Sequence, residues 1–277
     1  IPCAMDGGRP VVGALNIAQA SALFVRLYSR LAAHEIAHTL GFNYDVMVSR
    51  GMVANITGVR SKPQVTVVNS SRTVEKARAH YGCDKLPGME LEDEGGEVYE
   101  LSHWKRRNAK DELMAAPLGL SAHLYTALTM AAFEDMGFFR ANWGMEEPMG
   151  WGSNAGCDLL QEKCLTNGTT KYPGMFCSER IVKCTSDRTG LGECSLYEYD
   201  SALPEWFQYF SNLNIGAYPL SLTDYCPVVE YRYQVCAETD PPAQEGNIIS
   251  SDSWCLDGNE LTVNTPLGAS QTGGVCA

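Results

Sequence analysis

Residues 34 to 44 read HEIAHTLGFNY, and the first five of them constrain the fold more than any other stretch of the chain. Two histidines four residues apart act together only on a helix, where that spacing puts both imidazoles on one face, one turn apart. Both rings then reach a single Zn²⁺ at about 2.0–2.1 Å. Glu35 falls about 100° round from His34, near the metal but poorly placed as a strong ligand. It is suited to take a proton from water held there and to pass it to a leaving amine. The plain alternative is a surface helix with two solvated histidines. The surrounding pattern argues against it: residues 17 to 40 carry Ile17, Ala20, Phe24, Leu27, Leu31 and Ala32 at steps of three and four, with no Gly or Pro. That spacing predicts a long amphipathic helix, and Gly41 is its natural stop.

The glycine follows the second histidine by three residues, as in the longer zinc-protease signature H-E-x-x-H-x-x-G-x-x-H, where it turns the chain toward a third histidine. Position 44 holds Tyr44 instead, a poor replacement for a neutral imidazole. Three other histidines remain. His80 lies in a predicted short helix ending AHYGC, and His123 near the start of a predicted helix, so both read as surface or packing residues. His103 differs, because it stands in LSHWKRRNAKDELMAAP, whose ELMAAP end reads as a tight turn that places Met114 beneath the metal site. Methionine is soft enough to form an apolar floor under ligands, although by itself a methionine is more often explained by ordinary core packing.

The chain has 11 cysteines, too many for a typical cytosolic enzyme, which points to secretion and disulfide formation in an oxidising compartment. Three sequons, at Asn55, Asn69 and Asn167, are candidate glycosylation sites and agree with that history. A net charge of −12 disfavours nucleic acid and anionic membrane surfaces as partners. Ile1 is not an initiator, and no apolar run of about 20 residues could span a bilayer, so the sequence reads as a segment of a longer chain. Any membrane contact is expected through an anchor outside this segment.

Along the chain, residues 9–16 and 63–69 read as strands, 73–82 as a short helix and the acidic run Glu90 to Glu100 as a loop. A second amphipathic helix is expected over 121–136, ended by Gly137. From about residue 150 the long helical patterns stop, and Cys157, Cys164, Cys177, Cys184, Cys194, Cys226, Cys236, Cys255 and Cys276 follow among loop residues. The expected organisation is an N-terminal catalytic subdomain (1–102), a segment with the third ligand, turn and helix (103–150), and a cysteine-rich domain (151–277) that depends on its bridges.

HEIAHTLGF, VVNSSRTVEKARAHYGCDKL, SHWKRRNAKDELMAAP and YTALTMAAFEDMGFF, followed by WGSNAGCDLL, MFCSER and DYCPVV, resemble the leishmanolysins, surface metalloproteases of trypanosomatid parasites. The resemblance runs through nearly the whole chain. It implies an α+β fold: a metzincin-like zincin portion with a shortened N-terminal sheet, an active-site helix and a Met-turn, then a disulfide-rich, loop-rich C-terminal domain. In that family the third zinc histidine arrives after a long insertion and the Met-turn follows it, positions matched here by His103 and Met114. The implied activity is that of a zinc endopeptidase with one Zn²⁺ per chain on His34, His38 and His103. Glu35 serves as general base and then general acid, in a cleft between two subdomains. The family's spacing implies the pairs Cys83–Cys157, Cys164–Cys226, Cys177–Cys194, Cys184–Cys255 and Cys236–Cys276, leaving Cys3 with a partner outside the segment. Implied partners are protein or peptide substrates and host-surface proteins, and the implied location is the cell surface, through a GPI anchor, or the secreted fraction. A catalytically inactive surface adhesion protein of the same family is the competing expectation. Only 33 residues precede His34, room for one or two strands of the family's mostly parallel sheet.

Overall fold

The helix that the paired histidines demand is α1 (Val25–Thr39) in a computed structural model that describes residues 2–16, 25–116, 121–238, 246–265 and 268–277. The part of this helix expected over 17–24 lies outside the described residues. Leu27, Arg30, Leu31, His34, Ala37 and His38 share its inward face, at the spacing of an amphipathic helix. The helix ends in a Schellman motif. Phe42 N–H donates to Ala37 O (3.0 Å) and Gly41 N–H to His38 O (3.1 Å). The motif requires a positive φ at Gly41, observed at 117°. The short helix α2 (Tyr44–Ser49) follows at once, capped by the Asn43 side chain.

The chain divides into two compact units, Ile1–Glu162 and Lys163–Ala277. In the first, the expected strand 9–16 is β2 (Arg9–Gly13), which pairs antiparallel with β1 (Pro2–Asp6). A three-stranded antiparallel sheet follows in the order β3 (Val53–Ile56), β4 (Val65–Val68), β5 (Met89–Glu90). Between β4 and β5 runs α3 (Ser71–Tyr81), stopped by Gly82 in the left-handed conformation. The acidic stretch is the expected loop apart from its first residue and a 3₁₀ turn at Gly96–Val98. Glu90 lies in β5, and Glu92 is fully buried because Lys105 Nζ, itself fully buried, donates to it at 2.6 Å. Asp93 and Glu94 also reach Lys105, at 2.6 and 3.1 Å, and Arg60 pairs with Glu90 at 2.5 Å. Each buried cation thus neutralises carboxylates that the sequence alone would leave in water, and removing one partner of such a pair costs about 3–5 kcal/mol.

The one-turn helix α4 (Arg106–Ala109) leads into a turn at 112–115 and then α5 (Ala127–Asp135). The second amphipathic helix was expected from residue 121; it begins at Thr126, whose side chain caps it by accepting from Leu128 N. Before it Leu124 bridges to the 111–113 segment instead, since Leu113 N–H donates to Leu124 O and Leu124 N–H to Asp111 O, both at 2.8 Å. Asp135, at the far end of α5, accepts from Arg72 N and Thr73 N and so caps α3, a task Ser70 does not perform. After α6 (Cys157–Gln161) the first unit ends. The shift in composition near residue 150 precedes this division. Residues 151–161 are built into the first unit by Trp151 Nε1 donating to Arg107 O, by Arg107 donating to Leu159 O, and by Cys83–Cys157.

The second unit is mainly strands. Its five-stranded sheet runs β10–β7–β6–β12–β11, formed by β6 (Val182–Cys184), β7 (Gly190–Cys194), β10 (Val229–Val235), β11 (Cys255–Thr265) and β12 (Gly268–Cys276). A separate pair joins β8 (Leu196–Glu198) to β9 (Ile215–Ala217). Among the described residues, Leu191 clusters with four cystine halves, Cys184, Cys236, Cys255 and Cys276, and Val182 and Ile249 pack against them. All five disulfides implied by the family resemblance are formed. Cys3 belongs to none of them and is exposed. Among the described residues no helix is long and apolar enough to cross a membrane.

Four of the five buried residues in that described cluster are cystine halves, so cross-links contribute much of its stability. Replacing Cys236 and Cys276 together by alanine is expected to lower the unfolding free energy of this unit by about 2–5 kcal/mol. The urea midpoint of the double variant against the parent measures it.

Candidate metal centre and active site

His34 and His38 come from successive turns of α1, and His103 from the segment after the one-turn 3₁₀ helix at Gly96–Val98. Their Nε2 atoms form a triangle with sides of 3.0 Å (His34–His38), 3.1 Å (His34–His103) and 3.2 Å (His38–His103). Among the described residues this trio is the group of side chains able to hold a metal ion. Placed on ligand bonds of about 2.05 Å, such a triangle gives N–metal–N angles of roughly 94–103°, close to tetrahedral with one face open.

The other face of each ring explains why the Nε2 atoms converge. His34 Nδ1 lies 2.6 Å from Leu113 O, His38 Nδ1 2.8 Å from Phe42 O, and His103 Nδ1 3.0 Å from Tyr99 O with Ser102 Oγ at 2.9 Å. A carbonyl only accepts, so each Nδ1 carries the proton and each Nε2 is left as a lone pair. Burial pushes His34 down to about 2, helped by His103 and His38, while Leu113 O opposes the shift. Burial likewise pushes His103 down to about 3. His38 is lowered for the same reason, against the pull of Phe42 O and Glu35. Neutral imidazoles with inward lone pairs suit a divalent ion that takes nitrogen ligands, so the donor set fits zinc.

Each carbonyl is placed by an irregular backbone feature. Phe42 O is delivered by the Schellman turn at Gly41. Tyr99 O ends the 3₁₀ turn, after which Leu101, at φ 60°, bends the chain so that Leu101 N–H donates to Glu92 O and Glu92 N–H to His103 O. Leu113 O belongs to the tight turn 112–115, closed by Ala115 N–H to Glu112 O at 3.2 Å. Met114 is fully buried at the centre of that turn, and its carbonyl accepts from Trp104 N at 2.8 Å, one residue beyond His103.

Glu35 is half-buried and lines a cleft of about 790 Å³ together with all three histidines. Asp45 and Glu97 also line it, and among the described residues no Lys or Arg does. Tyr44 is not among the lining residues; it opens α2 instead. His80 bonds Trp151 O at 2.9 Å through Nε2, and His123 is buried at a positive φ, so neither joins the trio. Asn55, Asn69 and Asn167 are all exposed. Two supporting groups carry no motif and escaped the sequence reading, buried Lys105 and buried Glu112. Burial pushes Glu112 up to about 7, opposed by the Thr129 hydroxyl, Met114 N–H and Thr126. A lone Glu two residues before a turn methionine gives no local signal of such a role.

A protein-family model described as leishmanolysin matches residues 1–277. The leishmanolysin of Leishmania tropica is 41% identical over 280 residues, covering 98% of this chain and 42% of that protein. A leishmanolysin homolog from Crithidia fasciculata is 39% identical over 280 residues, covering 97% of this chain and 42% of its own length. A leishmanolysin-like peptidase of Drosophila pseudoobscura pseudoobscura is 34% identical over 196 residues, 64% of this chain and 28% of that protein. The chain thus spans less than half the length of the trypanosomatid relatives it matches.

Two outcomes follow from the geometry. In metal-free protein the folded state holds His34 and His103 well below their unfolded value of 6.5. Unfolding therefore takes up protons at acid pH. Their contribution is complete above about pH 6.5 and declines as pH falls, by up to about 1.4 kcal/mol per pH unit for each ring. Urea melts in chelator between pH 7.5 and 5 should show that slope, and a flat profile would contradict the burial of the rings. Gly41→Ala forces a side chain into a positive-φ turn, at about 1–3 kcal/mol, and should weaken zinc binding because Phe42 O moves.

Proposed function

Because the chain belongs to the leishmanolysin family, we propose that His34, His38 and His103 hold the single zinc ion of an endopeptidase. One observation carries this reading: three Nε2 lone pairs face one another within 3.2 Å, each ring locked from behind by a carbonyl, beside a carboxylate in the same cleft. When bound, zinc would supply Lewis acidity that eases ionisation of water and polarises a peptide carbonyl.

The chain's own residues do the rest. In the proposed reaction the Glu35 carboxylate takes a proton from the attacking water as its oxygen bonds to the scissile carbonyl carbon. Glu35 then returns that proton to the amide nitrogen as the C–N bond breaks, leaving a carboxylic acid, which holds water's second proton, and an amine. Its place on the helix, one residue from His34 and three from His38, holds its oxygens beside the ligands through both transfers. Met114, buried in its turn, is proposed as the apolar floor of the site. Asp45 and Glu97 give the cleft a negative field, which favours substrates with basic residues near the scissile bond.

The five disulfides and three exposed sequons support a life outside the reducing cytosol, at the cell surface through a GPI anchor or in the secreted fraction, with glycans on Asn55, Asn69 and Asn167. The substrates proposed are extracellular proteins and peptides, host-surface proteins included.

Glu35→Gln is expected to keep the zinc and lose hydrolysis by at least about 100-fold, the low end for a general base; equal cleavage by variant and parent would remove Glu35 from this role. His103→Ala should lose the metal as well as the activity. A parent chain that binds zinc but cleaves nothing would favour the adhesion-protein reading. Matched peptides with Lys or Glu after the scissile bond should differ in kcat/KM in favour of Lys, and equal rates would exclude steering by the cleft.

A further inference from the structure

Glu112 is fully buried and bonded on both oxygens. Oε1 accepts from Thr129 Oγ1 at 2.7 Å and Thr126 Oγ1 at 2.8 Å, and Oε2 accepts from Met114 N at 2.5 Å. The Met114 N–H and the Leu113 C=O are the two ends of one peptide group. That carbonyl is the acceptor of the His34 Nδ1 proton, at 2.6 Å. The bonds therefore form a single line: the Glu112 carboxylate, the 113–114 peptide, the His34 ring, and the Nε2 lone pair.

The geometry points to Glu112 as a positioning residue that acts on His34 through the Leu113–Met114 peptide group, fixing its tautomer and strengthening its Nε2 as a metal donor. A negative charge on the N–H side of a peptide draws its proton and raises electron density on its carbonyl oxygen, and hydrogen bonds in series reinforce one another. A stronger acceptor at Nδ1 makes the opposite nitrogen more basic. Metal-bound histidines commonly gain this from a carboxylate or carbonyl bonded directly to the ring. Here both are used, carbonyl first and carboxylate behind it. Phe42 O and Tyr99 O serve His38 and His103. The threonines fix the carboxylate from the other side. Thr126 caps α5, and Thr129 Oγ1 accepts from Trp104 Nε1 at 2.9 Å, so its proton is committed to Glu112.

This inference rests on the zinc site proposed above, and its test reads metal binding rather than hydrolysis. Glutamine at position 112 cannot meet Met114 N–H and both committed hydroxyls, since one of its two polar atoms only donates. The whole chain, freed of metal, is titrated with Co²⁺ at pH 8, above the value to which burial pushes Glu112 so that its carboxyl is ionised, for the parent, Glu112→Gln, and Ala132→Gly. The last loosens the same helix by about 1 kcal/mol without touching the carboxylate. Glu112→Gln is expected to lose about 10-fold or more in cobalt affinity and to shift the visible cobalt bands, while Ala132→Gly keeps the parent's affinity and bands. Parent-like affinity and bands in Glu112→Gln would overturn the inference and leave the zinc site standing. An equal loss in Ala132→Gly would overturn it too, reducing Glu112 to a brace. A parent that binds no cobalt would remove the metal centre itself and the inference with it. Where Glu112→Gln does not fold, the zinc-loaded parent decides: the Met114 amide proton should resonate far downfield, as a charge-assisted bond requires, and an ordinary amide shift would overturn the proposal.

Discussion

Three imidazole lone pairs that point at one another from about 3 Å repel. The arrangement holds only because every ring is anchored on its far side. All three anchors are backbone carbonyls, and none sits inside regular secondary structure, where carbonyls are already used. They come from a helix end, a 3₁₀ turn and a tight turn. The irregular parts of the first unit are therefore the parts that define the site, and the helices and short sheets hold those turns in register.

Rigid turns need rigid supports, and much of that support is ionic rather than apolar. Lys105, two residues past His103, gathers Glu92, Asp93 and Glu94, while Arg60 and Asn108 hold Glu90. A hydrophobic core of equal volume would be no less stable, but it would tolerate sliding. A buried ammonium surrounded by carboxylates has one satisfied position, which fixes the offset between residues 90–94 and 103–108. That offset determines where His103 meets the α1 pair.

The parts of this arrangement legible in the sequence share one property: their physics is local or their order is specific. H-E-x-x-H needs only helical periodicity, and Gly41 needs only the stereochemistry of a helix end. His103, Met114 and the five disulfides were reached through the order of motifs, since spacing alone cannot pair cysteines 62 to 74 residues apart. What was missed depends on distant partners. The acidic run is largely the loop expected, but nothing local announces the burial of Glu90 and Glu92, because the cations that pair with the run lie elsewhere in the chain, at Arg60, Lys62 and Lys105. The helix expected from residue 121 starts late because Leu124 is claimed by the backbone of residues 111–113. Glu112 was passed over for the same reason: its partners are a peptide two residues on and two hydroxyls on another element.

The three histidines of the triangle are held in different ways. His38 is anchored within its own helix end, four residues away, and His103 to a carbonyl four residues before it. His34 alone is anchored across a separation of 79 residues, to a turn that is itself pinned by a buried carboxylate. Local anchors form as soon as their turns form. The His34 anchor forms only when α1, the 112–115 turn and the cap of α5 have docked. The third lone pair therefore reaches its place only in the finished fold, so the closed triangle of nitrogens reports that the first unit has assembled.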